Sequence, residues 1–477
     1  MRPSFFAQMG DGMDDLSGYH DLIARKRVAF EARGIERWRP LSDALFPHQH
    51  HGIEFALRAG CAALFYDTGL GKTAMALEWG QRIVEATNRP VLMLAPLAVG
   101  PQHVREANRL GIEAKTIRDG ADVRGPAIYV INYDRLDRVD PAKFSGVILD
   151  ESSILKSFTG STTRALISAF SRTPYRLACT ATPAPNDHTE LGNHAEFLGV
   201  MRREEMLPLW FIHDSADTGT WRIKRHARGD FWRWVASWAR CVSKPSDLGF
   251  DDAGFILPSL NVVEHQVMAD RMVNAAPDRN GQALLFRLPE VSATSIHREK
   301  RLTLNARADV IAGVVSNERQ EPWIIWCESN DEADALIDRI PDAVEVRGSQ
   351  SADEKEARLT SFSNGSTRVL VTKPSIAGFG LNWQHCARVG FVGLSFSYEQ
   401  YYQAVRRCWR FGQKRPVDIH ISFADTERAI YETVTRKADD HVSMKRAMAV
   451  AMIEAASSRA VKVTYNPSQK ATLPAWI

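Results

Sequence analysis

The chain has 477 residues, a hydrophobic content of 44% and a formal net charge of +3, which allows two or three domains with real cores and leaves any polyanion to be bound by local patches, not a global field. No apolar run approaches the ~20 residues of a membrane-spanning helix, and no secretory leader is read at the start, so a cytoplasmic protein without membrane contact is expected. Cys61, Cys179, Cys241, Cys327, Cys386 and Cys408 are scattered with no C-x-x-C pair, which excludes a disulfide framework and predicts buried free thiols.

Residues 1–40 are charged and contain Gly-Asp and Asp-Asp pairs; they are expected to be a loosely ordered N-terminal brace. Residues 41–200 are expected to form a first lobe. In it the apolar run Cys61–Tyr66 reads as a strand, Thr68-Gly69-Leu70-Gly71-Lys72-Thr73 as a glycine loop, and Ala74–Trp79 as the start of a helix. Strand, glycine loop and helix in that order make a phosphate loop. Gly69 and Gly71 let the backbone turn so that N–H groups face phosphate, and the helix N-terminus adds positive potential. Lys72 then reaches the β- and γ-phosphates of ATP, and the Thr73 hydroxyl holds Mg²⁺. Tyr66 stands where the strict G-x-x-x-x-G-K-T pattern has its first glycine.

A second short strand, Gly146–Leu149, runs into Asp150-Glu151-Ser152-Ser153. The carboxyl end of a strand is where open parallel sheets carry their sites. Asp150 is placed to hold Mg²⁺ through water, and Glu151 to orient or deprotonate the attacking water. A third strand, Tyr175–Cys179, ends in Thr180-Ala181-Thr182-Pro183.

Residues 201–320 read as a connecting insert rich in aromatics and cations. Arg222, Lys224, Arg225 and Arg228 precede Phe231, Trp232, Trp234 and Trp238. Cations interleaved with aromatics suit a nucleic-acid groove, through phosphate neutralisation and base stacking. The competing reading is that Phe231, Trp234, Val235 and Trp238 form one apolar helical stripe against the first lobe. The two readings are compatible.

Residues 321–440 repeat the alternation of strand and helix, with strand-like runs at Trp323–Cys327, Ala343–Val346, Val369–Thr372, Val389–Val392 and Val417–Ile421. The expected fold class is therefore α/β: two RecA-like parallel-sheet lobes with an ATP cleft between them and a helical insert. Residues 441–477 are expected to be a helical tail that ends flexibly.

Taken together, these motifs resemble helicase superfamily 2. Thr180–Pro183 looks like its T-A-T-P motif, which lies under the γ-phosphate, and Phe46-Pro47-His48-Gln49 like its glutamine motif, in which Gln49 grips adenine. Ser375–Asn382 resembles motif V, and Gln403-x-x-x-Arg407-x-x-Arg410-x-Gly412-Gln413 resembles motif VI. The resemblance adds Thr68, Gly380 and Gln403 to the nucleotide contacts. It also makes Arg407 and Arg410, three apart on one helical face, guanidiniums that enter the phosphate site from the second lobe.

The finer resemblance is to the SWI/SNF-related branch and its small phage and bacterial members. It rests on Asp67–Thr73, Leu155-Lys156, Gly378-Phe-Gly-Leu-Asn382, Arg410-Phe-Gly-Gln413, and the segment Gly348–Ser351 followed by Glu354, Arg358 and Phe362. Thr68 stands where that branch usually has methionine, and Arg406 where it usually has aspartate.

The resemblance implies a DNA-dependent ATPase that tracks along duplex DNA, with single-stranded DNA a further substrate, acting as a monomer in a bacterial or phage-infected cell. A strand-separating helicase is the second reading. A nucleic-acid-binding ATP switch without motor activity is the third, and the presence of Lys72, Glu151 and Arg407 speaks against it. Protein partners are not legible in the sequence.

Overall fold

The computed structural model describes residues 30–96, 99–213, 221–269, 299–377 and 382–457. Fifteen strands are present among them: β1 Cys61–Tyr66, β2 Val91–Ala95, β3 Ala114–Thr116, β4 Ile128–Asn132, β5 Gly146–Asp150, β6 Tyr175–Cys179, β7 Phe211–His213, β8 Trp221–Ile223, β9 Ala239–Val242, β10 Leu260–Val267, β11 Trp323–Trp326, β12 Ala343–Val346, β13 Val369–Thr372, β14 Arg388–Val392 and β15 Val417–Ala424. They form a seven-stranded sheet in the order β3-β4-β2-β5-β6-β1-β9 and a six-stranded sheet in the order β10-β15-β14-β11-β13-β12. Every pairing in both is parallel. The expected α/β class with two parallel-sheet lobes is what the chain adopts.

The burial of the strands explains their composition. Val91–Leu94, Val147–Leu149 and Trp323–Ile325 are sealed from solvent, as expected for strands covered by helices on both faces, which read as continuous apolar runs. Register then places the chemistry. Cys179 pairs with Leu64 on one side and Asp150 on the other, so the loops after β1, β5 and β6 leave adjacent strands at the same edge. The strands expected at Val389–Val392 and Val417–Ile421 are longer by one and three residues, because Arg388 joins β14 and Ser422–Ala424 extend β15 along β10.

Residues 201–320, read as an insert, divide between the lobes. β9 adds an edge strand to the first sheet and β10 an edge strand to the second. Helix Arg228–Trp238 packs on the first lobe through the expected stripe, with Phe231, Val235 and Trp238 fully buried and Trp234 nearly so. β7 and β8 make a separate antiparallel pair.

The C-terminal helix, Arg428–Ser457, begins after β15 of the second lobe, and its later residues Met444, Met448, Ala451 and Met452 enter the core of the first. The backbone N–H of Cys241 in β9 donates to the Met452 sulfur at 3.3 Å. This helix crosses the boundary at residue 440 expected from sequence and ties the two lobes together. Five of the six cysteines are buried and Cys61 is half-buried, all as free thiols, in accord with the sequence reading. Among the described residues no helix is long and apolar enough to cross a membrane. Residues 1–29 of the expected brace, the motif V glycines and the end of the tail lie outside the described residues.

Candidate functional site

The glycine loop is built by the residues that bracket it. β1 delivers Tyr66 and Asp67, and helix Lys72–Thr87 starts at Lys72 with Gly71 as its cap in the left-handed conformation, φ +81°. Gly69 sits at φ +96°, and a side chain there would meet Phe411 of the second lobe at 2.9 Å. Glycine at 69 is therefore needed twice, for its backbone angle and for the close approach of the opposite lobe. Gln49 braces the loop: its Nε2 donates to the Leu70 carbonyl at 3.0 Å and its Oε1 accepts from the Phe46 N–H at 2.9 Å.

Thr68, Gly69, Gly71, Lys72, Thr73, Asp150, Glu151, Gln403, Arg407 and Arg410 line one cavity of about 270 Å³. The first seven belong to the first lobe and the last three to the second. Gln49 touches the loop from behind, and Gly380 lies outside the described residues. Arg222, Lys224, Arg225 and Arg228 do not line this cavity. Arg222, Arg225 and Arg228 are exposed on the first lobe, whereas Lys224 donates to the carbonyls of Pro208 at 2.6 Å and Leu209 at 3.3 Å, completing the end of helix Arg203–Trp210.

One expectation about the second lobe needs correction. Arg407 and Arg410 were read as neighbours on a helical face, but helix Tyr398–Val405 ends before them, with Arg406 as its cap. They sit in the turns that follow, where the Arg407 N–H reaches the Ala404 carbonyl at 3.3 Å and the Cys408 N–H that of Val405 at 3.2 Å. Both side chains still reach the cavity, because the turns fold over the glycine loop.

The electrostatics describe a site that asks for an anion. Burial lowers the Lys72 ammonium against the pull of Glu151 and Asp150; the ammonium meanwhile donates to the Tyr66 carbonyl at 2.9 Å and that of Asp67 at 3.3 Å. Burial, with Arg410 beside it, brings Arg407 down to about 9, and burial, with Arg406 nearby, brings Arg410 down to about 10. Three desolvated cations around one cavity are relieved by a polyphosphate. Burial also pushes Glu151 up to about 7, although Lys72 opposes it. Glu151 adopts a left-handed backbone, φ +59°, a strained conformation for a residue with a side chain. Its Oε1 accepts from the Gln403 amide across the cleft at 3.2 Å.

Several groups at the site escaped the sequence reading. The His103 ring contacts the Asp150 carboxylate at 2.7 Å, and the Tyr133 hydroxyl donates to the Asp150 carbonyl at 2.8 Å. Lys156 pairs with Glu399 across the lobes. Arg406, Tyr402 and Lys445 converge on Asp67. Neither a lone histidine on an amphipathic helix nor a lysine on a distant C-terminal helix carries a local signal. For Arg406 a signal existed, since a cation replacing the usual aspartate of motif VI implies a new acidic partner.

Residues 306–412 match the helicase conserved C-terminal domain. The chain is 24% identical over 432 residues to the putative protein p41 of Acyrthosiphon pisum secondary endosymbiont phage 1, covering 78% of this chain and 91% of that protein. It is 23% identical over 459 residues to the DNA annealing helicase and endonuclease ZRANB3 of Mus musculus, covering 83% of this chain but spanning only 40% of that protein. Among solved structures it is similar to the Sulfolobus solfataricus SWI2/SNF2 ATPase core in complex with dsDNA, at 16% identity and a TM-score of 0.42, covering 87% of this chain and 95% of that one. With a helicase domain matched at residues 306–412, alignments that cover 78% and 83% of its length and motifs in fixed order, the chain is similar to helicase superfamily 2 and its SNF2-related branch.

Proposed function

We propose that the chain is an ATP-driven DNA motor, a translocase that moves along duplex DNA and thereby remodels DNA or protein–DNA structures. One observation carries the reading: a single cavity takes Lys72 and its carboxylates from the first lobe and Arg407 and Arg410 from the second, so catalysis depends on closure.

The residues fit MgATP. Thr73 and Asp150 offer oxygen donors, the kind a hard cation takes, in the same cavity as Lys72, Arg407 and Arg410. Mg²⁺ when bound would neutralise charge between the β- and γ-phosphates. Lys72 exchanges its two carbonyl contacts for phosphate oxygens. Glu151, poised near 7 by burial, accepts a proton from the attacking water. Arg407 and Arg410 supply positive charge where it develops on the transferring group, a contribution of roughly 10³–10⁵ in rate. Gln49, which holds the Leu70 carbonyl and the Phe46 N–H from behind the loop, would turn its second N–H and second lone pair to adenine.

Because the arginines come from the second lobe, they leave when the lobes part. Hydrolysis and product release thus alternate a closed and an open cleft, and a lobe that holds DNA in one state and slides in the other converts the cycle into movement. The relative described as a DNA annealing helicase favours DNA over RNA as the track, and the phage relative favours a bacterial or phage-infected cytoplasm. A monomer suffices, since both halves of the site are in one chain.

A strand-separating helicase is the second reading. The β7–β8 antiparallel pair favours it: Ile212 and Arg222, paired in register, are both exposed, an apolar side chain beside a cation that a strand junction would meet. The test is ATP hydrolysis by wild type and Glu151→Gln without nucleic acid and with duplex DNA, single-stranded DNA or RNA. Stimulation by duplex, absent in the variant, supports the translocase; stimulation by single strands alone supports the helicase. No stimulation by any polymer contradicts both.

A further inference from the structure

We infer that His103 is a positioning residue for the metal-holding carboxylate Asp150 and thereby sets how tightly the site holds Mg²⁺ with nucleotide. The inference rests on the MgATP reading above and goes beyond it, because the motifs assign His103 no role.

Helix Gly100–Arg109 follows β2 and brings His103 to the end of β5. The ring is 3% exposed and is fixed at both nitrogens. Nδ1 lies 2.7 Å from the Val99 carbonyl and Nε2 lies 2.7 Å from Asp150 Oδ2. The Val99 carbonyl and the Asp150 carboxylate can only accept, so both ring nitrogens donate; the ring plane is set by the backbone of its own helix, and the Nε2–H is aimed at Asp150 by that constraint.

Asp150 is thus held twice. Tyr133 fixes its carbonyl at 2.8 Å, and His103 fixes the carboxylate through Oδ2 where the residue lines the cavity. A carboxylate that rotates freely must be ordered when it meets a cation; one already clamped has met that cost in folding. Groups that orient a metal-holding side chain in this way are commonly worth 10–100-fold in metal affinity.

His103 also belongs to the wall of the cavity, together with Gln102 and Glu106 of the same helix. A substitution that only loosened this wall would weaken nucleotide binding with or without metal. A lost clamp on Asp150 would weaken only the metal-dependent part. The two effects therefore separate.

The experiment measures binding of a fluorescent non-hydrolysable ATP analogue to the full chain, first in EDTA and then across a Mg²⁺ titration, for wild type, His103→Leu and His103→Gln. Leucine keeps the volume and removes the donor; glutamine returns an N–H near the Nε2 position. The expected result is a Mg²⁺ half-saturation raised about 10-fold or more in His103→Leu, unchanged affinity in EDTA, and substantial recovery in His103→Gln. An unshifted Mg²⁺ half-saturation in His103→Leu, or an equal loss in EDTA, overturns the inference while leaving the nucleotide reading intact. Absence of any Mg²⁺-dependent binding by wild type overturns both.

Discussion

Arg406 of the second lobe donates to the Asp67 carboxylate of the first at 2.7 Å, with 4% and 14% of the two side chains exposed. Asp67 is the residue that opens the glycine loop, and Tyr402 from the same helix donates to its other oxygen at 3.0 Å, where Lys445 also pairs. Nucleotide loop, motif VI and C-terminal helix thus meet at one carboxylate. An ion pair this enclosed is expensive to break from one side, because the remaining charge stays buried.

With Lys445 and Tyr402 still on Asp67, Arg406→Ala is expected to cost about 1.5–3 kcal/mol of stability or closure. Asp67→Ala combined with Arg406→Ala is expected to cost less than the sum of the single changes, with a coupling of roughly 1–3 kcal/mol. Denaturant unfolding of the four proteins in a double-mutant cycle measures it; strict additivity would mean that the pair does not join the lobes.

Arg407→Ala is expected to lower kcat of ATP hydrolysis by about 10³ or more while leaving ATP analogue binding within a few-fold of wild type. Lys72→Ala should lose both. The two variants separate a group that acts on the transition state from one that also holds the ground state, and steady-state kinetics with equilibrium binding distinguishes them.

The position of Glu151 near 7 gives a pH dependence with a definite sign. As a base it must be ionised, so hydrolysis is expected to rise between pH 6 and 8. For stability the sign is reversed. Its folded value lies above its ordinary one, so its contribution is intact below the usual carboxylate range and is lost as pH rises through about 7. Glu151→Gln should accordingly melt above wild type at pH 8, by roughly 2–4 °C, and with wild type at pH 5. Thermal unfolding without nucleotide at the two pH values checks this.

For the basic segment the four candidates divide. Reversing the exposed Arg222, Arg225 and Arg228 to glutamate should weaken DNA stimulation and flatten its salt dependence by about one unit of slope per lost phosphate contact. Lys224→Ala should instead lower stability, since its ammonium is engaged by the carbonyls of helix Arg203–Trp210. DNA-stimulated hydrolysis over a salt series, together with melting curves, tests the division.

What was legible in the sequence was local. The glycine loop after β1, the carboxylate pair after β5 and the strands at Trp323, Ala343 and Val369 each carry composition and punctuation within a dozen residues, and the chain places them as read. Ser351 and Glu354 illustrate why: the serine accepts from the Glu354 N–H at 3.2 Å and the glutamate reaches back to the Ser351 N–H at 3.1 Å, a reciprocal cap written in sequence. What was not legible was pairing at a distance. β9 and β10 are edge strands whose partners, β1 and β15, lie far along the chain, so residues 201–320 looked like an insert. The turns carrying Arg407 and Arg410 follow from packing on the glycine loop, which overrides the helical spacing. His103 and Lys445 gain meaning only from Asp150 and Asp67, 47 and 378 positions away in a numbering that gives no hint of contact.

The most direct test of the account is displacement of a triplex-forming strand from duplex DNA by the wild-type chain with ATP, with Glu151→Gln as control and a tailed duplex measured in parallel. The account predicts that wild type strips the third strand in an ATP-dependent manner, leaves the tailed duplex paired, and loses the activity in Glu151→Gln. ATP hydrolysis stimulated by duplex DNA without any strand displacement would contradict it.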